Sequence, residues 1–153
     1  MTLREKIDKV LGNILIVIMG VMVVNVIWQV FTRFVVGTPS SFTDELARYL
    51  MIWLGILGAA YVSGRNMHVA IDVLPLRSSN KTQKKLKLIV YILIISFALF
   101  AMVVGGLRLV YITYVLDQHS PALQIPLALV YLAIPLSGLL IIFYKISDIK
   151  NIK

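Results

Sequence analysis

Four apolar stretches, Leu11 to Phe31, Leu46 to Val62, Leu86 to Val110 and Ile125 to Tyr144, fill more than half of this 153-residue chain. Almost all of the charges lie between them. A soluble domain of this size leaves roughly a third of its surface in water, so it cannot hide so much apolar sequence. A bilayer core of about 30 Å, by contrast, takes roughly 20 helical residues at 1.5 Å each. The hydrophobic share of 59% and charged share of 14%, against about 45–50% and 25% in soluble domains, point the same way. The chain reads as an all-α integral membrane protein of one domain. Its four transmembrane helices are expected over about residues 11–33, 44–63, 86–112 and 125–144.

Charge sets the expected orientation. Arg4, Lys6 and Lys9 precede the first span. Arg65, Arg77, Lys81, Lys84, Lys85 and Lys87 lie between spans 2 and 3, and Lys145, Lys150 and Lys153 close the chain. The opposite side has Arg33, Arg48 and Arg108 against Asp44, Glu45 and Asp117, so the whole net charge of +8 falls on one face. The positive-inside rule then makes both termini cytoplasmic. Such a face suits anionic phospholipid headgroups, and no nucleic acid is expected. The first apolar run exceeds the roughly 7–15 residues of a signal peptide's apolar core and has no small-x-small cleavage site, so it reads as a permanent helix. Cysteine is absent, which excludes disulfides and thiolate chemistry.

The polar residues gather near the span ends. Asn25, Gln29 and Arg33 repeat every four residues, which places them on one helical face that should meet protein or water. A short turn-rich loop makes spans 1 and 2 a hairpin. Ser41-Phe42-Thr43-Asp44 fits a capping box with Ser41 as N-cap and Asp44 as the N3 acid. Arg33 can pair with Asp44 or Glu45, and Arg48 can reach either from one turn on. Gly55 and Ala59 form a small-xxx-small pair that permits close helix packing. Trp53 lies too deep for an interface anchor and should pack on another helix. An interfacial segment is expected between spans 2 and 3, ending at Pro75 and containing Arg65, His68 and Asp72. Tyr144 and Lys145 read as anchors of the inner end of span 4, in which Pro126 suits the first turn and Pro135 should loosen the helix.

No Asp, Glu, Lys or His stands near the middle of any span. A proton-coupled carrier needs an intramembrane carboxylate, and a haem anchor needs intramembrane histidine ligands. His-Glu-x-x-His is missing, and His68 with Asp72 supplies too few ligands for a metal. No catalytic, cofactor or metal site is assigned, and enzyme activity is not expected. Two classes compete with a partner-dependent subunit: an autonomous small carrier and the membrane anchor of a redox complex.

The run Ser41-Phe42-Thr43-Asp44-Glu45-Leu46-Ala47-Arg48 and onward through Trp53, Gly58 and Ala59, followed by Arg65-x-x-His68-x-x-x-Asp72, resembles one family. It is similar to the DctQ-type small membrane subunit of tripartite ATP-independent periplasmic (TRAP) transporters. Asp44 stands where Glu is more usual and Phe42 where Trp is common. The resemblance implies a bacterial inner-membrane scaffold with two partners, a large membrane subunit and a periplasmic substrate-binding protein. It further implies sodium-driven uptake of an organic anion such as a dicarboxylate, a sugar acid or sialic acid. No cofactor is implied on this chain. Asn25, Gln29, Arg33, Asp44, Glu45 and Arg48 would form an outer polar cluster, with Arg65, His68 and Asp72 fixing the inner loop.

Overall fold

In lipid, only a structure that satisfies its own backbone can span, and a run of this length does so as a helix. A computed structural model describes residues 3–38, 40–65 and 80–150, and four of its helices are long and apolar enough to cross a membrane. The first span joins α1 (Leu3–Phe31) to a π-helical turn, Thr32–Val36. The second is α2 (Ser41–Gly64). The third runs through α3 (Asn80–Phe97), a π-helical stretch Ala98–Val104 and α4 (Gly105–Val115), and the fourth through α5 (Leu127–Tyr131) and α6 (Ala133–Lys150). The helices overrun the apolar stretches because polar residues such as Arg4, Glu5 and Lys6 are good helix formers and propagate the first span. The interfacial segment expected between spans 2 and 3, with His68, Asp72 and Pro75, lies outside the described residues.

The capping signal of α2 acts one residue before its expected position. The N-cap of α2 is Ser40, not Ser41: its Oγ accepts from the Thr43 amide at 3.4 Å. Thr43 therefore takes the N3 place, and its hydroxyl donates back to Ser40 O at 2.9 Å. Gly37, at φ +76°, ends the first span in the left-handed region that glycine adopts without strain. In span 4 the helix is interrupted at Leu132, between α5 and α6. Pro135 has no amide to offer Tyr131, which loosens this turn as its sequence position requires.

Close backbone packing runs from α1 to α2, from α2 to α6 and from α6 to the third span. Span 4 is thus the central element and the most buried of the four. One core cluster joins Leu11, Leu57 and Tyr144; a second joins Ala60, Ala98 and Ile141. Gly55 and Ala59 do not make the close approach expected of them. Leu57, Ala60 and Gly64 form the packed face of α2, which turns Gly55 and Ala59 outward. A Cβ on Gly55 would meet nothing within 4 Å, whereas one on Gly64 would fall 2.7 Å from the Tyr144 ring. A Cβ on Gly138 would lie 2.8 Å from Met102 Cβ.

Candidate functional site

Two polar clusters fasten the helices, one at the hairpin end and one at the end carrying both termini. At the hairpin end, buried Asn25 donates from Nδ2 to Thr43 O at 2.7 Å, tying span 1 to the first turn of α2. Gln29 reaches Asp44 at 3.3 Å, and Arg48 pairs with Asp44 at the same distance. Both members of that pair are exposed, so it contributes little.

Glu45, expected to fix the hairpin, instead bonds within its own helix and to the loop between spans 3 and 4. Its Oε1 accepts from Tyr49 OH at 2.7 Å, while Oε2 accepts from the amides of Ala122 and Leu123, each at 2.8 Å. A carboxylate from the start of α2 thereby holds the loop between spans 3 and 4. That loop is also closed by its own backbone, through Ser120 N to Ile125 O and Leu127 N to Gln118 O, both at 2.9 Å.

Arg33 leaves the stripe expected for it. It is exposed, lies over the Phe34 ring at 5.9 Å, and makes no ion pair with Asp44 or Glu45. The cause is the π-helical turn beginning at Thr32, whose wider i→i+5 bonding shifts the four-residue register. Thr32 is buried instead, its hydroxyl donating to Gln29 O at 3.0 Å. Trp53, half-buried, packs against the Leu11–Leu57–Tyr144 cluster. Arg65 caps α2 with its amide on Tyr61 O and lays its guanidinium 4.9 Å from the Tyr61 ring centre. Its expected companions His68 and Asp72 lie outside the described residues.

The terminal end joins residues that the sequence offered only as separate charges and interface anchors. Asp148 accepts from Arg4 at 2.6 Å and from Lys145 at 3.2 Å. Lys145, 1% exposed, also donates to Ser63 O at 2.8 Å, and Arg4 donates to Gly64 O. Two cations thus satisfy carbonyls at the C-terminal end of α2, where the helix dipole favours positive charge. Tyr144 OH donates to Asp8 at 2.5 Å, and Lys145 Nζ stands 5.0 Å from the Tyr91 ring centre. One cluster therefore joins the start of α1, the end of α2, α3 and α6. The available sequence signals were Arg4-x-x-x-Asp8 and Tyr144-Lys145-x-x-Asp148, which put each set on one helical face.

Between the two clusters, residues 10–32, 49–64, 88–107 and 120–144 contain no charged side chain. The polar link described at mid-depth is Ser137 Oγ to Ile56 O at 2.8 Å. Among the described residues, no group of three or more His, Cys, Asp or Glu could hold a metal. Chemically, the arrangement fastens helices.

The family model for tripartite ATP-independent periplasmic transporters, DctQ component, matches residues 22–152. The chain is 28% identical to the ectoine TRAP transporter small permease protein of Halomonas elongata, over 99% of this chain and 78% of the relative. It is 25% identical to the sialic acid TRAP transporter small permease protein of Vibrio cholerae, covering 98% and 85%. Identity to the C4-dicarboxylate TRAP transporter small permease protein of Rhodobacter capsulatus is 34%, over 70% of this chain and 47% of that protein. With four spans, fastened rims and a match across most of its length, this chain belongs to the DctQ family and is a multi-pass membrane component of a TRAP transporter.

Proposed function

We propose that this chain is the static brace of its transporter, holding a large substrate- and ion-moving subunit in the bacterial inner membrane. The observation that supports this reading is the pairing of two fastened ends with a charge-free middle. Fixed helix ends resist relative motion, and coupled ion or proton movement calls for polar groups at depth. A periplasmic binding protein delivers the solute, and a sodium gradient drives the large subunit. Both termini face the cytoplasm, following the basic residues at that end.

The solute is an organic anion of the dicarboxylate, sugar acid or sialic acid class. The relatives named above, at 25–34% identity, are small permease proteins of transporters named for three different solutes. In this reading, substrate choice belongs to the large subunit and the binding protein. Reconstitution tests the division of labour. Liposomes containing this chain alone take up no solute, and uptake under an inward sodium gradient needs the large subunit and binding protein as well. Uptake by this chain alone would establish an autonomous carrier; haem absorbance or a co-purified dehydrogenase would establish a redox anchor.

A further inference from the structure

Just inside the terminal cluster, α1 and α6 part. α1 packs along α2, and α2 along α6, leaving a groove of about 310 Å³ between α1 and Leu140. Ile7, Val10, Leu11 and Ile14 form its α1 wall, and Lys6 stands at its mouth. From Lys6 to Ile14 the helix rises about 12 Å, close to the depth of one leaflet's hydrocarbon. Val10 and Ile14 are 58% and 42% exposed, so the groove opens sideways to the bilayer. The walls are aliphatic throughout, with Lys6 contributing only the methylenes of its stem. Left empty, they would forfeit their dispersion contacts.

The rim supplies the selectivity. Lys6 is exposed and makes no ion pair among the described residues, while the neighbouring Arg4 is committed to Asp148 and Gly64. The lysine lies just before the apolar stretch, at headgroup depth, on the end that carries the chain's net positive charge. We propose that this groove is a specific lipid site: it takes one acyl chain of an anionic phospholipid, whose phosphate is bound by Lys6. The lipid would fill the gap between spans 1 and 4 and extend the terminal cluster into the membrane.

The purified full chain, in detergent with equal phosphatidylglycerol and phosphatidylcholine, tests this by native mass spectrometry. The wild type retains phosphatidylglycerol in excess. Lys6→Gln, at an exposed side chain, lowers the ratio of the two lipids about five-fold. Ile14→Trp fills the groove and lowers retention of both. Lys84→Gln, an exposed basic residue on α3, leaves the ratio within about two-fold. Equal retention of the two lipids by the wild type overturns the proposal, as does an unchanged ratio in Lys6→Gln. An equal fall in Lys84→Gln would mean diffuse charge rather than a site. In the complete membrane complex, a photo-crosslinker at position 14 attaches to lipid; attachment to a protein helix would give the groove a different occupant. None of these readouts requires transport, so they stand or fall apart from the bracing role.

Discussion

Asp148 is the single residue on which the terminal cluster turns, because its two oxygens pair with Arg4 and with buried Lys145. Removing one partner of a buried pair leaves the other charge uncompensated, a loss of about 3–5 kcal/mol. Asp148→Asn should therefore lower the thermal midpoint of the purified chain sharply. Lys145→Met combined with Asp148→Leu should lose less than the two single changes added together. A midpoint for Asp148→Asn equal to wild type would show that the cluster is solvated. Tyr144 and Lys145 read from sequence as interface anchors because their partners lie as far away as Asp8, 136 residues distant. Periodicity along one helix contains no information about such a pairing. Glu45 was legible as important, through its place in the resemblance, but its role was not. Its acceptors reach Ala122 and Leu123 through their backbone amides, and a backbone donor leaves no mark on residue identity. Glu45→Ala should speed hydrogen exchange at those two amides, while the core amides of α6 stay protected. Unchanged exchange at residues 122 and 123 would refute the fastening.

Among the elements, composition decided which segments are helices, while contact decided which faces they bury. All four spans were readable because a long apolar run in lipid has one common solution. The faces were less so: α2 has Gly55, Gly58, Ala59, Ala60 and Gly64 within ten positions, and spacing alone does not say which meets a neighbour. The structure separates them. Gly64→Ala and Gly138→Ala each place a methyl under 3 Å from a packed atom, and should destabilise by about 1–3 kcal/mol. Gly138 has the firmer neighbours, Met102 Cβ and the Ala98 carbonyl, so its change should be the harder to absorb. Gly55→Ala meets open space and should stabilise the helix by about 0.5–1 kcal/mol. Denaturation in mild detergent ranks the three; a loss for Gly55→Ala matching that for Gly138→Ala would contradict the packing described. The π-helical turns were illegible for a different reason. The β-branched residues of Thr32–Val36 weaken an α-helix without specifying a π turn, yet the altered register removes Arg33 from the face it shares with Asn25 in an α-helix.

For the whole molecule, direction follows from charge, because the fold brings the start of α1 and the end of α6 to one end. Charge supplies the argument: the terminal end carries Lys6, Lys9, Lys84, Lys85 and Lys150, whereas the opposite end balances its few cations with acids. Each lysine carried across the membrane would work against the inside-negative potential's opposite pull, at about 2.3 kcal/mol per charge per 100 mV. The absence of cysteine makes the orientation directly measurable. Gln118→Cys, on the exposed loop between spans 3 and 4, should react with an impermeant maleimide added to cells whose outer barrier is permeable to it. Lys150→Cys should react only after the inner membrane is opened. The reverse pattern would put the basic cluster and the lysine-rimmed groove in the outer leaflet. It would leave the helix contacts intact but invert the proposed assembly, with the Glu45-held loop facing inward and away from a periplasmic binding protein.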